Sequence, residues 1–206
     1  MPVDFLPGNT TILDMTVPHL PSPPGRPVLR MRWENLLFLH WGWDQDELQR
    51  RLPPGLEIDC FDGRAWLAVV PFLMRKTYPV GLFPVPWLSD FAELNVRTYV
   101  RSREGTPGVW FFSRACHQPI AVELARRLFH LNYVHARMKV TCGASVDYAC
   151  IRGNHSSRFH YLANLKTHQS AAPGSLEEFL VERYVLFSCD RRGQIFEGRV
   201  AHAPYE

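Results

Sequence analysis

Four polar side chains stand two apart in the segment FAELNVRTYV, at Glu93, Asn95, Arg97 and Tyr99. If this segment is a strand, its period of two puts an acid, an amide, a guanidinium and a phenol on one face within about 20 Å. Leu94, Val96, Thr98 and Val100 then occupy the other face. Such a row can hold a carboxylate or an enolate: Arg97 supplies a planar fork, and Glu93, if desolvated, keeps its proton to higher pH and suits acid or base work. The same pattern describes a solvated sheet face on which Glu93 pairs with Arg97, and the residues alone leave both readings open. His40, inside the apolar run LLFLHW, is a second candidate acid or base for the same site. Its commoner role is that of a hydrogen-bonded core histidine.

Other reactive residues are less well placed. Cys116 and His117 are adjacent, and neighbours in sequence rarely turn both side chains to one point, so a thiol nucleophile is not expected. His155, His160 and His168 lack compact metal-ligand spacing, and the five cysteines include no CxxC pair. Glycine-rich phosphate loops are missing too, so neither a metal nor a nucleotide cofactor is expected. The formal charge of +3 comes mainly from arginine, with only Lys76, Lys139 and Lys166 as amines. No basic run marks a nucleic-acid partner, and no stretch approaches the ~20 apolar residues of a membrane span. A cytoplasmic protein with reduced thiols is the expectation.

The elements that must position these residues read mainly as strands. With 206 residues, 46% hydrophobic, the chain can build one cored domain. Residues 1–30 hold seven of the 17 prolines and read as an extended arm, leaving 31–206 as the domain. Asp44 caps a helix over 45–52 that Pro53-Pro54-Gly55 stops. Strands over 57–61 and 65–72 flank Asp62-Gly63, which predicts a type I′ hairpin. The strand over 91–103 turns back through 105–108 into 109–113, and Pro119 opens a helix to about His130 with Ile120, Leu124, Leu128 and Leu131 on one side. Further strands are expected over 135–141, 146–152 and 157–162. A helix over 176–183 follows, with Ser175 and Glu178 as its capping box, and 184–189 and 194–200 form a last hairpin. Hairpins outnumber strand-helix-strand units, so the fold class is mainly β (α+β), an antiparallel sheet or barrel with a few packed helices.

Three blocks carry a family resemblance: FLHW with LPPGLEIDCFDGRAWLAVVPF, FAELNVRTYV, and GVWFFS with ARRLF. They resemble the YqjF-like family, uncharacterised relatives of acetoacetate decarboxylase. The resemblance implies a cone-like, largely antiparallel β-barrel around an apolar pocket. In the decarboxylase pattern a strand carries a glutamate, a helix carries a Gly-Arg-Glu triplet, and a Pro-Lys-Lys turn supplies a Schiff-base lysine. Matched onto this chain, the glutamate falls at Glu93, the arginine near Arg126 and the lysine near Tyr133. A phenol cannot form an imine with a β-keto acid, so acetoacetate decarboxylase chemistry is not expected. Arg114 and His117 also depart from the residues expected there, and relatives continue beyond the stretch around Tyr205, which predicts a C-terminally shortened barrel.

Three functions follow from these readings. The first is a pocket that binds a small, largely apolar molecule with a carbonyl or carboxylate, through Glu93, Asn95, Arg97, Tyr99 and Arg126 with aromatic walls from Trp41, Trp66 and Phe112. The second is a lysine-independent enolisation or lyase enzyme using Glu93 with His40 or Tyr133. In the third the barrel is filled by side chains and the proline-rich arm makes a homo-oligomer.

Overall fold

Runs of β-branched and aromatic residues, cut by turn residues, give 13 strands and four short helices among the residues that the computed structural model describes, 2–5, 27–162 and 171–201. The side chains of 2–5 and of Leu124, Ala125, Leu128 and Phe129 lie outside that description. So do Lys166, His168, Tyr205 and most of the proline-rich arm.

In chain order, β1 (Pro2–Phe5), β2 (Leu29–Glu34) and β3 (Leu39–Trp43) precede α1 (Gln45–Gln49). Then come β4 (Leu56–Ile58), the long β5 (Ala65–Pro79), α2 (Pro86–Ser89), β6 (Phe91–Ser102) and β7 (Pro107–Cys116). Helix α3 (Pro119–Phe129) leads to β8 (Tyr133–His135), β9 (Arg137–Cys142), β10 (Val146–Arg152) and β11 (His155–Tyr161). Last are α4 (Leu176–Val181), β12 (Val185–Cys189) and β13 (Ile195–Ala201).

The pairings β5–β6–β7–β12–β13–β1–β2 and back to β5 follow one another around a ring. This is the cone-like barrel, antiparallel except where β7 meets β12 and β8 in parallel. The first residues of the expected arm are therefore a strand of the wall: β1 sits between β2 and β13.

Side-chain alternation divides the core. Inward residues of the ring, among them Met31, Val70, Phe72, Phe91, Tyr99 and Leu186, make one interior cluster. Leu73, Leu94 and Ala115 on the outer faces of β5, β6 and β7 pack beneath the separate three-stranded sheet β11-β10-β9, through Tyr148 and Cys150. Leu48 of α1 covers a third cluster with Leu56, Ile58 and Val100. β6 is thus buried along both faces for most of its length.

Local signals set several of these boundaries. Asp44 accepts the Glu47 N–H at 2.7 Å, and Ser175 accepts that of Glu178 at 3.2 Å. One expected hairpin differs. Asp62 (φ 49°) and Gly63 (φ 72°) do take the two left-handed conformations of a type I′ turn, but only Phe61 and Arg64 pair across it. Leu67 to Met74 of β5 pair instead with β6, and β4 joins β6 farther along the same edge, at Val100 to Ser102. Among the described residues no helix is long and apolar enough to cross a membrane.

Candidate functional site

The barrel is not filled. A cavity of about 210 Å³ lies inside the ring, below the ~300–1,000 Å³ of sites that take drug-sized molecules. Its walls are mostly apolar, with Trp33, Phe38, Phe72, Phe91 and Phe111 as the aromatic surface. Into this lining project Glu93, Asn95 and Arg97 from β6, Arg114 from β7 and Tyr133 from β8.

Register explains how they meet. Asn95 lies opposite Arg114 across the β6–β7 pair, and Arg114 lies beside Tyr133 across β7–β8. The Tyr133 hydroxyl then donates to Glu93 Oε2 at 2.7 Å. Glu93 is only 1% exposed. Burial pushes its carboxyl up, against the opposing pull of the Arg114 guanidinium and of hydrogen bonds from Tyr133 and Asn95. The Tyr133 phenol is pushed well up, by burial first and by the adjacent Glu93 charge second.

Two guanidiniums are buried here with part of their donor capacity unused. Arg97 donates from Nη2 to the Leu180 carbonyl at 3.1 Å and lies over the Phe38 and Tyr99 rings. Arg114 stacks on Phe111, 3.6 Å from the ring centre, and approaches Tyr133. Arg97 Nε, Arg114 Nε and Asn95 Oδ1 are all buried without a hydrogen-bond partner. Among the described residues no carboxylate lies within 4 Å of either guanidinium, whereas Arg183, also on the lining, is paired with Asp59 at 3.0 Å. Unpaired buried donors and charge are costly, and an anion bringing its own acceptors could offset that cost.

The remaining expected residues lie elsewhere. Tyr99 is fully buried beside the cavity and ties the barrel to α4, its hydroxyl donating to the Leu180 carbonyl at 2.8 Å. His40 Nε2 is 2.8 Å from the same hydroxyl, outside the lining. Burial first and Arg97 second hold its imidazole down to about 4, so it is neutral at pH 7. Trp41 is 47% exposed on the outer surface, and Trp66 packs against the interior cluster without reaching the cavity. Phe112 faces the cluster under α1. Arg126 is exposed on α3 and borders a second cleft.

A β-bulge explains the exchange of Phe112 for Arg114. Val96 pairs with Ser113, but Arg97 pairs with Phe111, so β7 carries one extra residue. Val109 and Phe111 face inward before the bulge, and Arg114 and Cys116 do so after it. Strict alternation cannot put Phe111 and Arg114 on the same side. Cys116 and His117 have separate surroundings: the thiol is buried and pushed up to about 12, while His117 accepts the Ala92 N–H at 3.0 Å. Lys76 and Lys139 are exposed and do not line the cavity. Among the described residues no group of three or more His, Cys, Asp or Glu side chains could hold a metal ion.

Solved structures of similar shape agree on the fold. Acetoacetate decarboxylase from Legionella pneumophila superposes with a TM-score of 0.60 at 14% identity, over 93% of this chain and 80% of that one. The enduracididine biosynthesis enzyme MppR, in complex with pyruvate, superposes with a TM-score of 0.57 at 15% identity, over 79% of this chain and 64% of that one. At such identities the likeness extends to architecture alone. Sequence similarity is closer to the uncharacterized protein YqjF of Bacillus subtilis (strain 168), 34% identical over 190 residues that span 91% of this chain and 78% of the relative. Residues 30–206 match the family model described as uncharacterized conserved protein, so the chain belongs to the DUF2071 family, built on the acetoacetate decarboxylase-like barrel.

Proposed function

We propose that the barrel binds a small organic acid, its carboxylate held by Arg97 and Arg114 and its apolar part by the aromatic wall. One observation carries this reading: two buried guanidiniums line an apolar cavity with unpartnered Nε atoms and, among the described residues, no carboxylate within 4 Å of them. A ligand carboxylate would supply the missing acceptors and charge, and a hydroxyl beside it would satisfy Asn95 Oδ1. MppR, of similar fold, holds pyruvate.

A titration calorimetry panel of small aliphatic and aromatic acids against their uncharged amides tests this. Acids should bind, amides should not, and Arg97→Met and Arg114→Met should each weaken binding by about tenfold or more. Amides binding as tightly as acids would overturn it. Borohydride treatment with acetoacetate should leave no adduct, since no lysine is among the described residues that line the cavity and the resemblance matches the amine's position to Tyr133; a lysine adduct would reverse that conclusion.

The contact between Tyr133 and Glu93 supports a second, catalytic reading. A carboxyl whose pKa is raised by burial, hydrogen-bonded to a phenol at the cavity wall, could move a proton on and off a carbon next to a bound carbonyl. Its test is deuterium exchange from solvent into bound oxo acids. Exchange in the parent that Glu93→Gln abolishes supports catalysis; exchange absent from both leaves binding as the whole function.

A further inference from the structure

Three Arg-Arg dyads, far apart in sequence, meet around the second cleft: Arg50-Arg51 after α1, Arg126-Arg127 on α3, and Arg191-Arg192 in the β12–β13 turn. The cleft is large, about 1100 Å³. Counting Arg114 at its floor, seven guanidiniums face it against two carboxylates, Glu123 and Asp190, in a chain whose formal charge is only +3.

The two acids do not neutralise it. Glu123 is taken by Arg127 within α3. Asp190 accepts the backbone N–H groups of Arg192 and Gln194, each at 2.9 Å, and so shapes the turn that presents the third dyad. Arg51 pairs with Glu47 outside the cleft at 3.0 Å. Arg50, Arg126, Arg191 and Arg192 have no carboxylate within 4 Å among the described residues. Like charges gathered from three elements repel one another, and a concave wall concentrates their field. A solvated basic surface would instead interleave the two signs.

From this geometry we infer a second binding site, for the diphosphate or triphosphate group of a small molecule. Planar guanidinium forks match phosphate oxygens in pairs, and several forks around one hollow match a ligand with several adjoining negative charges better than a single carboxylate. Beside Arg114 the lining also includes the apolar and aromatic side chains of Trp110, Phe111, Leu131 and Tyr133, a surface for the non-phosphate part of the ligand. Phe111, Arg114, Leu131 and Tyr133 also line the inner cavity, so this wall is common to both sites. The dyads come from three separate elements and border one cleft, with no basic run along the chain, which favours a compact ligand over a nucleic-acid backbone.

Calorimetric titration of the full chain with inorganic tripolyphosphate, ADP and a single-stranded oligonucleotide tests the site and separates the sources of phosphate. One tripolyphosphate per chain should bind, and each of the double variants R126A/R127A and R191A/R192A should weaken it by about tenfold or more, with binding falling as salt rises. All four arginines are exposed, so these variants should keep the parent melting temperature. Arg152→Ala with Arg158→Ala, on the separate sheet, should change nothing. ADP binding more tightly than tripolyphosphate identifies a nucleotide; the reverse identifies free polyphosphate. Binding of neither, binding indifferent to the dyad variants, or tighter binding of the oligonucleotide than of either would overturn the proposal. The acid panel for the inner cavity is read through Arg97, which does not line the cleft, and the cleft through the two outer dyads, which do not line the cavity, so the two sites can fail separately.

Discussion

Replacing Tyr133 with Phe removes one atom from a buried polar contact inside the barrel. The hydroxyl donates to Glu93 Oε2 at 2.7 Å, and both residues are buried, at 7% and 1% exposure. No water replaces the lost donor easily in an apolar wall, so the cost is that of a hydrogen bond to a carboxyl group, about 2 kcal/mol. For a chain of this size that is a fall in melting temperature of roughly 4–8 °C. The variant also removes one of the interactions that hold the Glu93 carboxyl down, so its pKa in the folded state rises further. A raised folded-state value means the folded chain binds more protons than the unfolded one, and stability falls as pH rises. The deficit of Tyr133→Phe should therefore grow from pH 5 to pH 8. Calorimetric melts at both pH values, with Glu93→Gln and the double variant completing a cycle, measure this. A loss under about 1 °C, or no coupling between positions 93 and 133, would refute the reasoning.

Three further outcomes follow from buried charge. Glu93→Gln keeps an acceptor for Tyr133 but cannot ionise, so urea melts should show the variant gaining on the parent as pH climbs above about 4.3; parallel curves would count against a raised Glu93. Asp59 binds Arg183 at 3.0 Å and Arg101 at 2.8 Å, and Asp59→Asn should cost about 3–5 kcal/mol in urea unfolding because Arg183 stays buried without its counter-charge. A cost under about 1 kcal/mol would show that Arg183 finds another acceptor. The His40 imidazole, lowered to about 4, should titrate by NMR near that pH. Its contribution is complete above the unfolded value of about 6.5 and lost as pH falls through 4, so His40→Gln should flatten the acid limb of the stability curve; a midpoint near 6.5 would contradict its burial.

Local pattern was enough for much of the barrel. Alternation marked β6, Asp44 and Ser175 marked two helix starts, and the 146–152 strand was legible from its residues, because each signal is contained within a few neighbours. Everything that depends on registration between strands had to wait. The extra residue in β7 turned Arg114 inward and Phe112 away, an outcome that period-two reading cannot produce. Trp41 and Trp66 looked like cavity walls because aromatic character is visible in sequence and facing is not. Glu93 and Tyr133 touch across 40 residues, and the three Arg-Arg dyads are spread over more than 140, through pairings that no short window contains. Composition determined that the charge is arginine and scarce in amines; the closed ring of strands decided which guanidiniums are buried, which are clustered, and which cavity each one faces.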